Sequence, residues 1–148
     1  MKYLSICITA IILVSCGSAQ NKNQAQESDE ARSSVRLEML WETDRILLAT
    51  SSGSTFKSID WGTFEVTVLA EEIGHGDGIA SAGNGNYIIS DWRGRIFYVP
   101  AKGETITLLD TREQEINAAD IDYVIETNTL YVPTFNKNTL KAYKVIIE

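Results

Sequence analysis

NYIISDWRGRIFYVP, residues 86–100, decides how the rest of the chain reads. Tyr87, Ile88 and Ile89 form an apolar run. Asp91-Trp92-Arg93-Gly94 then supplies turn chemistry, and Ile96-Phe97-Tyr98-Val99 resumes the run. Short runs of β-branched and aromatic residues bounded by Gly, Asp and Pro are strand signals. Alternation sends Ile96 and Tyr98 to one face of the second strand and Phe97 and Val99 to the other. Neither face is polar, so both need cover. No helical stripe follows Trp41, so that cover must come from other sheets.

Working outward, period-two segments bounded by Gly, Asn, Asp and Thr predict strands over 45–50, 55–60, 65–70, 79–82, 87–91, 96–99, 105–109, 121–125, 130–134 and 140–146. Residues 51–53, 83–86 and 136–138 carry the turn residues. A repeat is visible. RILLATSSGSTFKSID begins at Arg45, NYIISDWRGRIFYVP at Asn86 and NTLYVPTFNKNTLKAYKV at Asn128. Each is strand, polar turn, strand. The first two are followed by a further strand that ends acidic, in EVTVLAEE and TITLLDT. A period of about 40 residues is that of a four-stranded propeller blade. A β-sandwich is the competing arrangement, and the sequence match that accompanies the period favours the propeller. The expected fold is all-β: an incomplete β-propeller of about three four-stranded blades, over residues 36–148.

The N-terminus reads differently. Lys2 is followed by an apolar run over residues 3–14, too short to span a bilayer comfortably. It ends in Leu13-Val14-Ser15-Cys16, which resembles a bacterial lipobox. The alternative is an ordinary signal peptide with an accidental cysteine. The lipobox reading makes residues 1–15 a signal peptide and Cys16 the acylated first residue of the mature chain. Gly17, rather than Asp, follows the cysteine, which points to an outer-membrane anchor in the bacterial envelope. Only two cysteines are present, so once Cys7 leaves and Cys16 is acylated no intramolecular disulfide is possible. Residues 16–35 are polar and aperiodic and read as a flexible tether, with a weak helical alternative over 24–36.

The net charge of −7, from 20 acidic against 13 basic residues, argues against nucleic acid as a partner. The glycines of Gly74-His75-Gly76-Asp77-Gly78 are not a phosphate cradle. A dinucleotide fingerprint opens a helix and a P-loop carries Gly-Lys-Ser/Thr, whereas these glycines lead into a strand with no lysine after them.

Residues 40–145 resemble the senescence marker protein (regucalcin) and gluconolactonase group of six-bladed propellers. FKSIDWGTFEVTVLAEEIGHGDGI carries the strand, acidic turn, strand and Asp-Gly-Ile lead-in to the next blade. LLDTREQEINAADIDYV followed by TLYVPTFNKNTLKAYKV resembles the closing part of exported bacterial members. The resemblance implies a divalent cation, calcium or zinc, on the propeller axis. There it is held by a glutamate, two asparagines and an aspartate, polarises a lactone or ester carbonyl and activates water. Asp77 fits the aspartate, as metal ligand and catalytic residue. The other ligands do not carry over: Leu37 stands where one asparagine belongs, and the match covers only the family's C-terminal half. A six-bladed ring needs roughly 240 residues at this period, against about 110 after the tether.

Each candidate residue also has a plainer reading. Asp77 is a ligand or a turn residue. His75 is an acid–base group or a loop histidine. Asp91, Trp92 and Arg93 line a ligand mouth or form a solvated turn. Asn117 and Asp120 face the axis or cap a turn. Trp41 and Trp61 are packing residues or part of an exposed seam. Three functions follow. The chain is a non-catalytic binding module or remnant of a longer gene, its small-molecule ligand unspecified. It is a metal-dependent lactone or ester hydrolase active only when self-association completes a ring. Or it is a lipid-anchored interaction protein whose open blade faces recruit a different partner. An incomplete ring leaves two blade faces bare, so self-association through them is expected.

Overall fold

A computed structural model of the protein describes residues 37–147, which are all β apart from turns. The signal segment, Cys16, the tether and the 24–36 helix expectation lie outside the described residues, as does the Leu37 side chain. Sheet 1 holds β1 (Leu37–Trp41), β2 (Arg45–Thr50), β3 (Phe56–Asp60) and β4 (Val66–Ala70). Sheet 2 holds β5 (Gly76–Gly83), β6 (Asn86–Asp91), β7 (Arg95–Val99) and β8 (Ile106–Asp110). Sheet 3 holds β9 (Asp122–Val124), β10 (Thr129–Thr134) and β11 (Thr139–Lys144). Each is an antiparallel meander in chain order. The first strand of the middle sheet, β5, packs beside both β1 and β9, the first strands of its neighbours. Successive meanders stacked with their first strands together make an incomplete propeller.

Sheet 2 is covered on both sides. Tyr87, Ile89, Phe97 and Val99 pack with Leu47, Ala49, Phe56 and Ala70 of sheet 1. Ala80, Ile88 and Ile96 pack with Ile121, Leu130 and Val132 on the sheet 3 side. The two-sided strand therefore divides as alternation requires. Phe97 and Val99 enter the first core, and Ile96, with Tyr98 against it, enters the second. Leu47, Phe56, Ile73, Ile88, Ile89 and Ile96 are fully buried, each worth about 1.5–3 kcal/mol of transfer free energy.

Local chemistry sets the turns. Asn84 (φ 54°) and Gly85 (φ 76°) join β5 to β6, with Gly83 paired to Asn86. Positive φ at both central residues is the type I′ hairpin that Asn-Gly favours. At the same end, Tyr87 ties sheet 2 to the β1–β2 turn. Its hydroxyl donates to Glu42 Oε1 (2.9 Å) and accepts from Arg45 Nη2 (2.7 Å), while Arg45 Nε donates to Glu42 Oε2 (2.7 Å). Burial, reinforced by the Glu42 carboxylate, pushes the Tyr87 hydroxyl up to about 12. The hydrogen bond to Glu42 raises Arg45 further above its already high value.

The structure departs from the sequence reading in five respects. Sheet 3 has three strands among the described residues rather than four, so β11 borders no fourth strand there. β1 is an additional strand, and β5 begins at Gly76 rather than 79. The last strand is β11, Thr139–Lys144, rather than 140–146. Single 3₁₀ turns occupy Arg112–Gln114, Ile125–Thr127 and Phe135–Lys137, each closed by a left-handed residue: Glu115, Asn128 or Asn138. Asparagine tolerates that conformation, which is how two of these turns replace longer loops.

Candidate functional site

Antiparallel meanders send alternate loops to opposite ends. The loops at 51–55, 71–75, 92–94, 111–121 and 135–138 share one end, and contacts between them bind the three sheets there. All seven sequence-predicted site residues fall at this end. His75 precedes β5, Asp77 is its second residue, and Asp91 ends β6. Trp92 and Arg93 form the β6–β7 turn, while Asn117 and Asp120 lie in the β8–β9 loop.

Asp91 is buried rather than part of a solvated turn. Its side chain has no exposed surface. One carboxylate oxygen, Oδ1, accepts the backbone N–H groups of His75 (3.0 Å) and Arg93 (3.1 Å). The other, Oδ2, accepts Arg95 Nε at 2.8 Å. Its own carbonyl accepts the Gly94 N–H, and the His75 carbonyl accepts the Trp92 N–H (2.8 Å each). Asp91 thus fixes the lead-in to β5, the β6–β7 turn and an arginine together. A carboxylate so saturated with donors is a structural brace.

The glycines around it make contacts that a side chain would block. Gly74 sits at φ 72°, and a Cβ there would lie 2.2 Å from Asp91 Oδ2 and 2.4 Å from Arg95 Nη2. At Gly76 a Cβ would meet the Cβ of Ala49 in sheet 1 at 2.7 Å. At Gly78 it would meet the backbone nitrogen of Ile121, leading into sheet 3, at 2.7 Å. The Gly-x-Gly-x-Gly spacing is therefore the lead-in to the strand where three sheets meet, with each glycine admitting a different neighbour.

Asp77 lies in a strand rather than a turn. The β5–β6 register shifts between Gly76 and Gly78, making Asp77 the extra residue of a bulge, 6% exposed. Bulges re-aim side chains and cluster beside functional sites. Asn117 accepts the Asn136 N–H (2.8 Å) through Oδ1 and so braces the β10–β11 turn, while its buried Nδ2 has no hydrogen-bond partner. Asp120 is exposed and accepts the Ile121 N–H (3.0 Å). Trp92 packs against Phe135 with ring centroids 5.6 Å apart, and Arg93 is exposed. His75 is half-buried, and its backbone, rather than its ring, joins the Asp91 network.

Sequence reasoning missed Arg95, Ser54, Thr111, Phe135 and Asn136. Ser54 Oγ accepts the Gly74 N–H (2.7 Å), and Thr111 Oγ1 donates to Gly94 O (2.9 Å) or Ile116 O (2.6 Å). One signal was available: Asp91 and Arg95 flank a glycine turn and are cross-strand partners in register.

The family resemblance implies a divalent cation held by oxygen donors at this end. Among the described residues no three His, Cys, Asp or Glu side chains are arranged to hold a metal ion. The Asp91 carboxylate is committed to Arg95 and two backbone donors, which leaves Asp77 as the buried carboxylate of the β5 lead-in. Hard cations take six or more oxygen ligands. A shallow depression of about 440 Å³ at this end is bordered by Ala119, Pro133, Thr134 and Phe135, and none of the seven predicted residues lines it.

The opposite end of sheet 1 is chemically different. Trp41 and Trp61 meet at 5.3 Å between centroids and Trp61 and Phe64 at 6.4 Å, with all three rings more than half exposed. These tryptophans form an exposed seam.

No family model and no curated protein matches the chain. Among solved structures it is similar to a streptogramin B lyase structure, at 16% identity and a TM-score of 0.48. The match covers 70% of this chain and 38% of that one, so the chain spans well under half of that structure's length. Likeness at this level carries nothing about activity.

Proposed function

We propose that the chain is a lipid-anchored partial propeller of the regucalcin and gluconolactonase kind, working in the bacterial envelope as a non-catalytic binding module. The observation that carries this is the exposed apolar surface of sheet 1, where Met39, Trp41, Val66 and Val68 on its outer face adjoin Trp61 and Phe64 of the β3–β4 loop, all six 49–71% exposed. Each aromatic ring offers on the order of 100 Å² at that exposure, so the patch reaches several hundred Å². Patches of that size on a soluble domain mark interaction surfaces. At the loop end, polar side chains are spent on architecture: Asp91 on three donors, Asn117 on the Asn136 N–H.

One observation favours the hydrolase as a second reading. Asp77 is buried at a bulge on the first strand of its blade, the position at which the resembled family holds its aspartate. Lactone and ester hydrolysis by the purified chain, assayed with calcium and with zinc, separates the two. The binding-module reading expects no turnover above buffer with either ion. Metal-dependent turnover lost in Asp77→Ala overturns it.

A further inference from the structure

We infer that the outer face of sheet 1 docks onto the outer face of sheet 3 of a second copy of this chain, the two copies pairing through two equivalent junctions. The proposal rests on the binding-module reading and names its partner.

The argument comes from the register of the second strands. β2, β6 and β10 are each six residues long, so their positions correspond one to one. Second and fourth positions face the preceding sheet. In β6 these are Tyr87 and Ile89, buried against sheet 1, and in β10 they are Leu130 and Val132, buried against sheet 2. The same positions of β2 are Ile46 and Leu48, and no described sheet precedes them. Third and fifth positions face the following sheet. In β2 these are Leu47 and Ala49, and in β6 Ile88 and Ser90, all buried. The same positions of β10 are Tyr131 and Pro133, with no described sheet beyond them.

Residues 37–147 therefore form one kind of sheet-on-sheet junction twice and present one half of it on each outermost described sheet. The sheet 1 half consists of two cross-strand rows, Trp41–Ile46–Ile59–Val66 and Met39–Leu48–Lys57–Val68. The sheet 3 half carries Tyr131, Pro133, Leu140 and Ala142, with Leu140 64% exposed. Unlike halves at opposite ends cannot meet within one copy, but two copies related by a two-fold axis satisfy both at once. Area agrees. Four strands about 4.8 Å apart and five residues long make a face of roughly 300 Å². The three-stranded sheet 3 offers a smaller face of roughly 200 Å², so two junctions hide about 1,000 Å² in projection, the level a specific interface must reach.

The register also says which residues meet. Phe56 and Tyr87 face each other across the first junction with ring centroids 5.3 Å apart. Phe56 pairs with Ala49 as Leu140 pairs with Pro133, and Tyr87 corresponds to Ile46. Leu140 of one copy should therefore face Ile46 of the other.

The test expresses two differently tagged full-length chains together, one carrying Ile46→Cys and the other Leu140→Cys, and treats intact cells with a short thiol–thiol cross-linker. The expected result is a mixed dimer at least tenfold above either variant expressed alone and above the unsubstituted chain. A chain carrying both substitutions should give a dimer and no ladder. Absence of the mixed product, linkage between identical variants, or a ladder overturns the two-fold pairing. Metal-dependent lactonase activity would overturn the binding-module reading and leave the cross-link standing, whereas failed cross-linking with no turnover does the reverse.

Discussion

Replacing Asp91 by alanine tests whether the loop end is a brace or a binding mouth. The side chain is fully buried and accepts three donors, but these are not equivalent. The Arg93 N–H belongs to an exposed residue, so water can replace its partner at little cost. The His75 N–H is half-buried, and leaving it unpaired costs about 1–3 kcal/mol. Arg95 is 22% exposed and loses a charge-assisted bond, about 1.5–3 kcal/mol. Together Asp91→Ala should cost about 3–5 kcal/mol, the range seen when one partner of a buried ion pair is removed. Against a total stability of roughly 5–15 kcal/mol, that leaves a marginal domain. Urea unfolding followed by tryptophan fluorescence should show the midpoint falling by about 2 M if the slope is about 2 kcal/mol per M. Asp91→Asn keeps one oxygen for the His75 and Arg93 N–H groups but turns a donor toward Arg95, so it should cost roughly half as much. A loss below about 1 kcal/mol in Asp91→Ala, with the slope unchanged, would refute the brace.

Gly78→Ala should destabilise by about 1–3 kcal/mol in the same unfolding assay, because its Cβ meets the backbone of Ile121, which cannot rotate away. Tyr87 holds its proton more tightly folded than unfolded, so its contribution is complete below pH 10 and is lost as pH rises from 10 towards 12. After allowance for solvent around the hydroxyl this amounts to about 1 kcal/mol, and Tyr87→Phe should remove that part of the alkaline decline. Cys16→Ala should move the protein out of the membrane pellet or leave it unprocessed, since stable anchoring needs more than one acyl chain. Unchanged processing with an acyl-free N-terminus, read by mass spectrometry, would refute the anchor. Calcium titration calorimetry should detect no site tighter than about millimolar, the weak end for oxygen ligands.

Alternation is a local property, which is why the sheets were legible. Ile96–Val99 alone shows that two other sheets must flank its own, and Phe97 and Ile96 do enter different cores. β1 was harder, because Leu-Glu-Met-Leu-Trp is five residues long and its charge, at the second residue, leaves too short an apolar run to show a period. That the candidate loop residues share one end follows from strand order, because a meander sends alternate loops to opposite ends. Their roles were not legible, because those depend on non-local donors. The role of Asp91 requires the His75 N–H, sixteen residues away. The spacing of Gly74, Gly76 and Gly78 signals close approach, but the approaching atoms come from Asp91, Ala49 and Ile121. Glu115 gives no warning of its left-handed conformation, whereas Asn128 and Asn138 do.

The double cover of sheet 2 has a kinetic consequence. Its two cores share no side chain, and successive residues of β6 and β7 point alternately into one or the other. Sheet 1 or sheet 3 can therefore detach and leave the other junction intact, whereas any opening of sheet 2 empties both cores together. Amides of β6 should then be the last to exchange with heavy water, at the free energy of global unfolding, with those of the outer sheets released earlier and independently. A second copy seated on the outer faces of sheets 1 and 3 would slow exchange in those two sheets together.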